Sequence, residues 1–244
     1  FEEYLVRIAL TQSQAKRIDS SLTSLSYLFV ETYEGDVEIY TQGSFATNTI
    51  VKPLTAEQSP TGEAGEYDVD IVLERATWTE PCDALLDIKN TLYDDLRYAP
   101  IVQKSTKDSC ERIEYAPEQN GTGFHVDLVP IKNSGIRNAA FRSKNVWRPS
   151  DPKAIINWYN NLSAEKKYMT ASVVTLKRMR DFADMQKLLP SIMILAIVGS
   201  NYEDTGSYAG DLLNVLEKAN ALLKKNKNDV HIGIPGVNEN LADK

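Results

Sequence analysis

The chain is poor in thiols and imidazoles. Its 244 residues hold two cysteines, Cys82 and Cys110, and two histidines, His125 and His231. So few, in separate contexts, exclude a disulfide framework and a Cys/His zinc pattern; two free thiols in a reducing cytosol are expected. Long apolar runs are also missing. The longest, Ile192 to Val198, falls far short of the roughly 20 residues that cross a bilayer. No charged-then-apolar signal pattern opens the chain, which begins at Phe1 rather than Met, so its native ends are not read from it. A basic excess is absent too: 27 Lys and Arg stand against 34 Asp and Glu, a formal charge of −7. That balance argues against a dedicated duplex-DNA surface, but not against one nucleotide held by a few local cations.

What is present is an ordinary soluble composition, 42% hydrophobic and 25% charged, in a chain long enough for one large domain or two small ones. Leu5, Ile8, Ala15, Ile18, Leu22 and Leu25 recur at helical spacing, so residues 4–30 read as one or two helices. Strands are expected at 37–44, 67–74, 100–105, 110–116 and 123–131, and a helix opened by Pro81 at 81–98, with Leu85, Leu86, Leu92 and Leu96 as its apolar side. The Pro/Gly/Ser-rich stretch 53–66 reads as an exposed loop, and 104–112 as an exposed hairpin rim. Past residue 150 the pattern is nearly all helical. Helices are expected at 152–161, at 163–185 with Ser163 as N-cap, at 190–200 as a buried core helix, and at 207–225; the KKNK run at 224–227 reads as a solvated helix end. The expected fold is α+β and two-lobed, with a mixed sheet and helices over 1–150 and a helical lobe over 151–244.

The stretch "YDVDIVLE" places Asp68 and Asp70 two apart in an apolar strand pattern. Strand side chains alternate with period two, so both carboxylates share one face. Like charges side by side resist ionising together, and a divalent cation would compensate them. In "FHVDLVP" a third acid, Asp127, shares a face with His125. If the two strands are neighbours, three carboxylates meet, a donor set suited to Mg²⁺ or Mn²⁺. Taken alone, a D-x-D is more simply a surface pair. Upstream, Gly43-Ser44 closes a strand and opens a short helix, where backbone N–H groups and the hydroxyl can approach a phosphate.

The order "GSF…YDVDIV…FHVDLVP" resembles the polymerase-β-like nucleotidyltransferase superfamily. More narrowly, "YTQGSFATNTIVKPL", "EYDVDIVLE", "VVTLKRMRDF" and "LLPSIMILAIV" resemble the bacterial cGAS/DncV-like nucleotidyltransferases (CD-NTases), which make cyclic oligonucleotide second messengers. The likeness spans roughly 37–225. One departure stands out: the interval between Ser44 and Asp68 is longer than the common motif, and the 53–66 loop holds the excess.

The resemblance implies transfer of a nucleoside monophosphate from an NTP, ATP among them, to a ribose hydroxyl with release of pyrophosphate. It implies Asp68, Asp70 and Asp127 as catalytic residues and ligands of two Mg²⁺ ions (Mn²⁺ in their place), with Gly43 and Ser44 on the triphosphate. Lys177 on the long helix, and Ser207-Tyr208 at a later helix start, match the family's phosphate and nucleotide contacts. The alternatives are a solvated lysine at 177, an N-cap at 207 and a core anchor at 208. His125 is expected to pack or hydrogen-bond beside Asp127 rather than act as a base. The family also implies a cytoplasmic enzyme of antiphage signalling (CBASS) whose product acts on a separate effector, with an accessory regulatory protein as a further partner and no part for duplex DNA or membrane. Two other readings stay open: a template-independent RNA-tailing enzyme, and a nucleotide-binding regulatory protein of weak catalysis.

Overall fold

A computed structural model describes residues 1–104, 107–119, 121–224, 231–237 and 241. Helix α1 (Glu2–Ile8) precedes α2 (Gln12–Thr32), so the N-terminal stretch is two helices. The second begins on a reciprocal cap: Thr11 Oγ1 accepts from the Gln14 amide, and the Thr11 amide donates to Gln14 Oε1. Its Ile18, Leu25 and Phe29 are buried on one face.

That face packs beneath a six-stranded mixed sheet. Strand β1 (Glu38–Gln42) runs into α3 (Gly43–Ala46); β2 (Glu66–Arg75) follows, then α4 (Pro81–Asp94). Next come β3 (Glu111–Tyr115), β4 (Gly123–Asn133), β5 (Arg137–Phe141) and β6 (Val146–Pro149). The order is β1-β2-β4-β5-β6, with β3 also on β4; among the described residues, β2 and β4 alone pair in parallel. Tyr67, Val69, Ile71 and Leu73 of β2 join Phe124, Val126 and Leu128 of β4 in the core with α2 and α4. Burial on that face holds the two strands in a register that a one-residue slip would invert. Pro130, which lacks an N–H, falls between the β3 pairing, which ends at Leu128, and the β5 pairing, which starts at Ile131.

Helices α5 (Pro152–Ala164), α6 (Met169–Phe182), α7 (Ser191–Asn201) and α8 (Tyr208–Leu223) follow. They bury a second core of Tyr159, Met169, Val173, Ile194, Leu195, Val198, Tyr202 and Val215. The two halves are joined by side chains. Asn160 Nδ2 donates to the Ala46 carbonyl, Arg178 to the Lys52 carbonyl, and Arg137 pairs with Asp151 at the start of α5.

Several sequence expectations need correction. Residues 100–104 are no strand: Ala99–Ile101 is a tight helical turn, followed by a single bridge from Val102 to Ile113, and residue 105 lies outside the described residues. Ser163 lies within α5 and donates back to the Asn160 carbonyl; the next helix starts at Met169 after Tyr168. Leu86 and Leu96 are exposed, and Ile88 takes their place in the core. The 104–112 rim is not wholly exposed, since Cys110 and Glu111 are buried. Of the KKNK run, only Lys224 lies among the described residues.

Candidate active site

Strand pairing brings the three aspartates together. In the parallel register, Asp68 is the partner of His125, and Asp70 the partner of Asp127. Period-two alternation puts all four side chains on the face opposite the Val69–Ile71–Val126–Leu128 core. On the other edge of β2, Asp70 pairs with Gln42, the last residue of β1. The chain then turns at Gly43, whose φ of +64° suits glycine. A second reason for glycine is space: a Cβ there would lie 2.6 Å from Asp70 Oδ2. The Gly-Ser turn and the aspartate pair are thus in direct contact.

The acids differ in state. Asp68 is largely exposed. Burial, then the neighbouring Asp68 and Asp127 charges, push the Asp70 carboxyl up to about 7, although Arg112 and a Gln42 hydrogen bond pull the other way. Burial would also raise Asp127, but Arg112 outweighs it and holds that carboxyl below the usual range. Arg112, its antiparallel partner on β3, donates from Nε to Oδ1 at 2.5 Å and from Nη2 to Oδ2 at 2.7 Å. His125 Nδ1 sits 3.1 Å from Glu66 Oε2, and its buried Nε2 has no hydrogen-bond partner among the described residues. Burial, then Arg112, lowers the imidazole, so it stays neutral and hydrogen-bonded beside the acids.

Among the described residues, no three Asp, Glu, His or Cys side chains form a ready-made metal cluster. The donor set still fits a hard divalent cation. It is all-oxygen, sits on one face of adjacent strands, and holds one carboxyl whose ionisation is opposed by its acidic neighbours. Asp127 would have to exchange Arg112 for the cation, in whole or in part.

The phosphate-binding expectations divide. Lys177 of α6 is buried and reaches across to the Gly-Ser turn. Its Nζ donates to Ser44 Oγ at 2.8 Å and to the Thr49 carbonyl and hydroxyl at 3.0 and 3.1 Å. Burial, then Arg180, lowers its ammonium to about 8. Ser207 and Tyr208 are not brought to this place. Ser207 caps α8 by accepting from the Gly210 amide, and Tyr208 donates to Thr175 Oγ1 and stacks on Phe1. Neither lines the cavities around Ser44 and Lys177.

Two cavities flank those residues. One, of about 320 Å³, is lined by Asp68, Arg180 and the 53–65 loop; the other, of about 560 Å³, by Gln42, Gly43, Arg148 and the aliphatic side chains of Ile155, Ile192 and Leu195. Ser44, Lys177 and Ser191 line both. Sequence reasoning missed Arg112, Thr49 and Ser191. Only Ser191, which follows Pro190 at a helix start, carried a local signal.

No family model matches the chain. Over 169 residues it is 28% identical to a cyclic GMP-AMP synthase of Escherichia albertii, covering 66% of this chain and 35% of that protein. It is 23% identical to a c-di-GMP synthase of Roseivirga ehrenbergii, covering 85% of this chain and 61% of that protein. The chain therefore spans about a third and three fifths of these relatives. Among solved structures it resembles the Bradyrhizobium diazoefficiens CD-NTase CdnG in complex with GTP, with a TM-score of 0.71 at 18% identity over 97% of this chain and 80% of that one. It also resembles the Vibrio cholerae cyclic AMP-GMP synthase DncV, with a TM-score of 0.63 at 20% identity over 84% and 56% of the two chains. The chain carries the α+β fold of these solved structures, and its sequence is similar to those of a cyclic GMP-AMP synthase and a c-di-GMP synthase.

Proposed function

We propose that this chain is the catalytic part of a nucleotidyltransferase that joins NTPs into a cyclic di- or trinucleotide with release of pyrophosphate. The observation that carries this reading is the contact between the Gly43 turn and Asp70, with Asp70 in register with Asp127. A phosphate held at the turn then stands beside the acids.

Asp68, Asp70 and Asp127 are the residues that would hold Mg²⁺ or Mn²⁺. Such a pair of ions would lower the pKa of an attacking hydroxyl and neutralise charge growing on pyrophosphate. The chain's own groups do the rest. The backbone at Gly43 and the Ser44 hydroxyl grip the triphosphate, and Lys177 supports Ser44 with a buried positive charge. Ser191, on the wall of both cavities, adds a hydroxyl donor. The larger cavity, with its aliphatic side chains, suits the flat face of a base. Ser207 caps α8 and Tyr208 bonds Thr175, away from the walls of both cavities.

ATP is among the proposed substrates, and the setting is cytoplasmic antiphage signalling (CBASS), with a separate effector for the product and an accessory protein as regulator. Among the described residues no helix is long and apolar enough to cross a membrane. One observation favours a second reading, a nucleotide-binding protein of weak catalysis: Asp127 is already engaged by Arg112. Incubation with all four NTPs and Mg²⁺ or Mn²⁺ separates the two. The first predicts a phosphatase-resistant cyclic product by mass spectrometry. No product with any metal would contradict it, and a ladder on added RNA would point to a tailing enzyme.

A further inference from the structure

The polar contacts around Lys177 form a closed relay. An ammonium only donates, so Ser44 Oγ accepts in their 2.8 Å bond. The Ser44 proton is left to donate elsewhere, and Ser44 lines both cavities. The other two Lys177 bonds go to a single residue, Thr49, which is fully buried. Thr47 Oγ1 donates its one proton to the Gly43 carbonyl at 3.0 Å, so in the 2.9 Å bond between the two hydroxyls Thr49 Oγ1 is the donor. The donors run one way, from Lys177 through Thr49 and Thr47 to Gly43. The Thr49 amide closes the loop by donating to the Ser44 carbonyl at 2.8 Å. Between them, Asn48 takes a φ of +54°, a left-handed conformation that asparagine tolerates better than most residues and that brings the two threonine hydroxyls together.

We propose that Thr49 is a positioning residue of the nucleotide site: it fixes the Lys177 ammonium against Ser44 and so aims the Ser44 hydroxyl at a phosphate of the incoming NTP. The ligand in this statement rests on the nucleotidyltransferase reading above. Thr49 is fully buried and stands in the wall of the larger cavity, but its hydroxyl and carbonyl are taken up by Lys177 and Thr47. It acts through two residues, one from each half of the chain, so the Ser44 hydroxyl is fixed by Lys177 only while α6 is docked. A buried network whose other members are satisfied is rigid, and that rigidity sets the Ser44 hydroxyl, whose proton is left for the ligand, before the triphosphate arrives.

The test compares Thr49→Val, which keeps the shape and removes the hydroxyl, with Thr49→Ser, which keeps the hydroxyl. The first readout needs no nucleotide. In ¹⁵N-lysine-labelled protein, the buried Lys177 ammonium should give a slowly exchanging resonance that weakens in Thr49→Val and persists in Thr49→Ser. The second readout is binding of ATP and GTP in Ca²⁺, then steady-state turnover. Thr49→Val should weaken binding and raise KM about tenfold with kcat changed less than about threefold, and Thr49→Ser should restore both. In a Ser44→Ala background, Thr49→Val should add little, because the hydroxyl it aims is gone. An unchanged Lys177 resonance, or equal binding by wild type and Thr49→Val, would overturn this inference alone. A wild-type chain that binds no NTP would overturn the nucleotidyltransferase reading and this inference with it.

Discussion

The acidic and basic sides of the site are finished to different degrees. On the basic side, Lys177 has three oxygen acceptors, and the hydroxyls it meets continue a chain of bonds to Gly43. On the acidic side, Asp70 faces two other carboxylates and is pushed up to about 7. Only Asp127 has a firm partner, Arg112. The difference is instructive. Donors aimed at phosphate work best when set in advance, whereas a carboxylate pair without its cation is a strained arrangement that the ion completes.

The sharpest way to break this contrast is to remove the acids. Asp70→Asn or Asp68→Ala should abolish product formation, a loss of at least about a thousandfold, while the fold stays intact. Normal turnover in either variant would refute the assignment. Next in size, Gly43→Ala should reduce turnover about a hundredfold, because the methyl would collide with Asp70 at a positive φ. Its melting temperature should fall only modestly, and an active Gly43→Ala would separate the turn from the chemistry.

The third change tests the one satisfied acid. Arg112→Gln leaves Asp127 without its bidentate partner and should lower stability by about 2–4 kcal/mol, measured by urea unfolding. Mg²⁺ should recover part of that loss, since the cation takes the place of the guanidinium. The fourth and smallest effect concerns pH. Asp70 binds its proton more tightly folded than unfolded, so the folded state carries more protons between about pH 4 and 7. Stability contributed by this group is therefore present at low pH and lost as pH rises through 7. Asp70→Asn should accordingly stabilise the metal-free chain by about 1–3 kcal/mol at pH 8 and do nothing near pH 4. An equal gain at both values would mean that charge is not the cause.

Much of the acidic side was legible in the sequence, because alternation in "YDVDIVLE" and "FHVDLVP" fixes which residues share a face. The basic side was less so. Lys177 could be placed by resemblance, but its partners Ser44 and Thr49 lie more than a hundred residues away, and no local pattern reveals such a meeting. Arg112 sits in a strand that was foreseen, yet its role depends on the register with Asp127. Ser207-Tyr208 matched a motif in words while the fold uses them as cap and packing. The missed strands β5 and β6 are short and carry weak alternation, and Pro149 ends the second. Residues 100–105 misled because an apolar pair after a proline reads as strand, whereas Pro100 here opens a tight turn. The 53–66 loop was expected to be solvent-exposed, and its middle is; its base buries Pro53 and Leu54 and walls the smaller cavity.

The central claim is that three carboxylates on β2 and β4 share a cation next to the Gly-Ser turn. Titration of Mn²⁺, followed by electron paramagnetic resonance across pH 6 to 8, tests it directly. Binding that tightens as pH rises toward about 7, where Asp70 loses its proton, levels off above it, and collapses in both Asp70→Asn and Asp127→Asn, is the predicted result. Equal Mn²⁺ affinity in wild type and Asp127→Asn would contradict it.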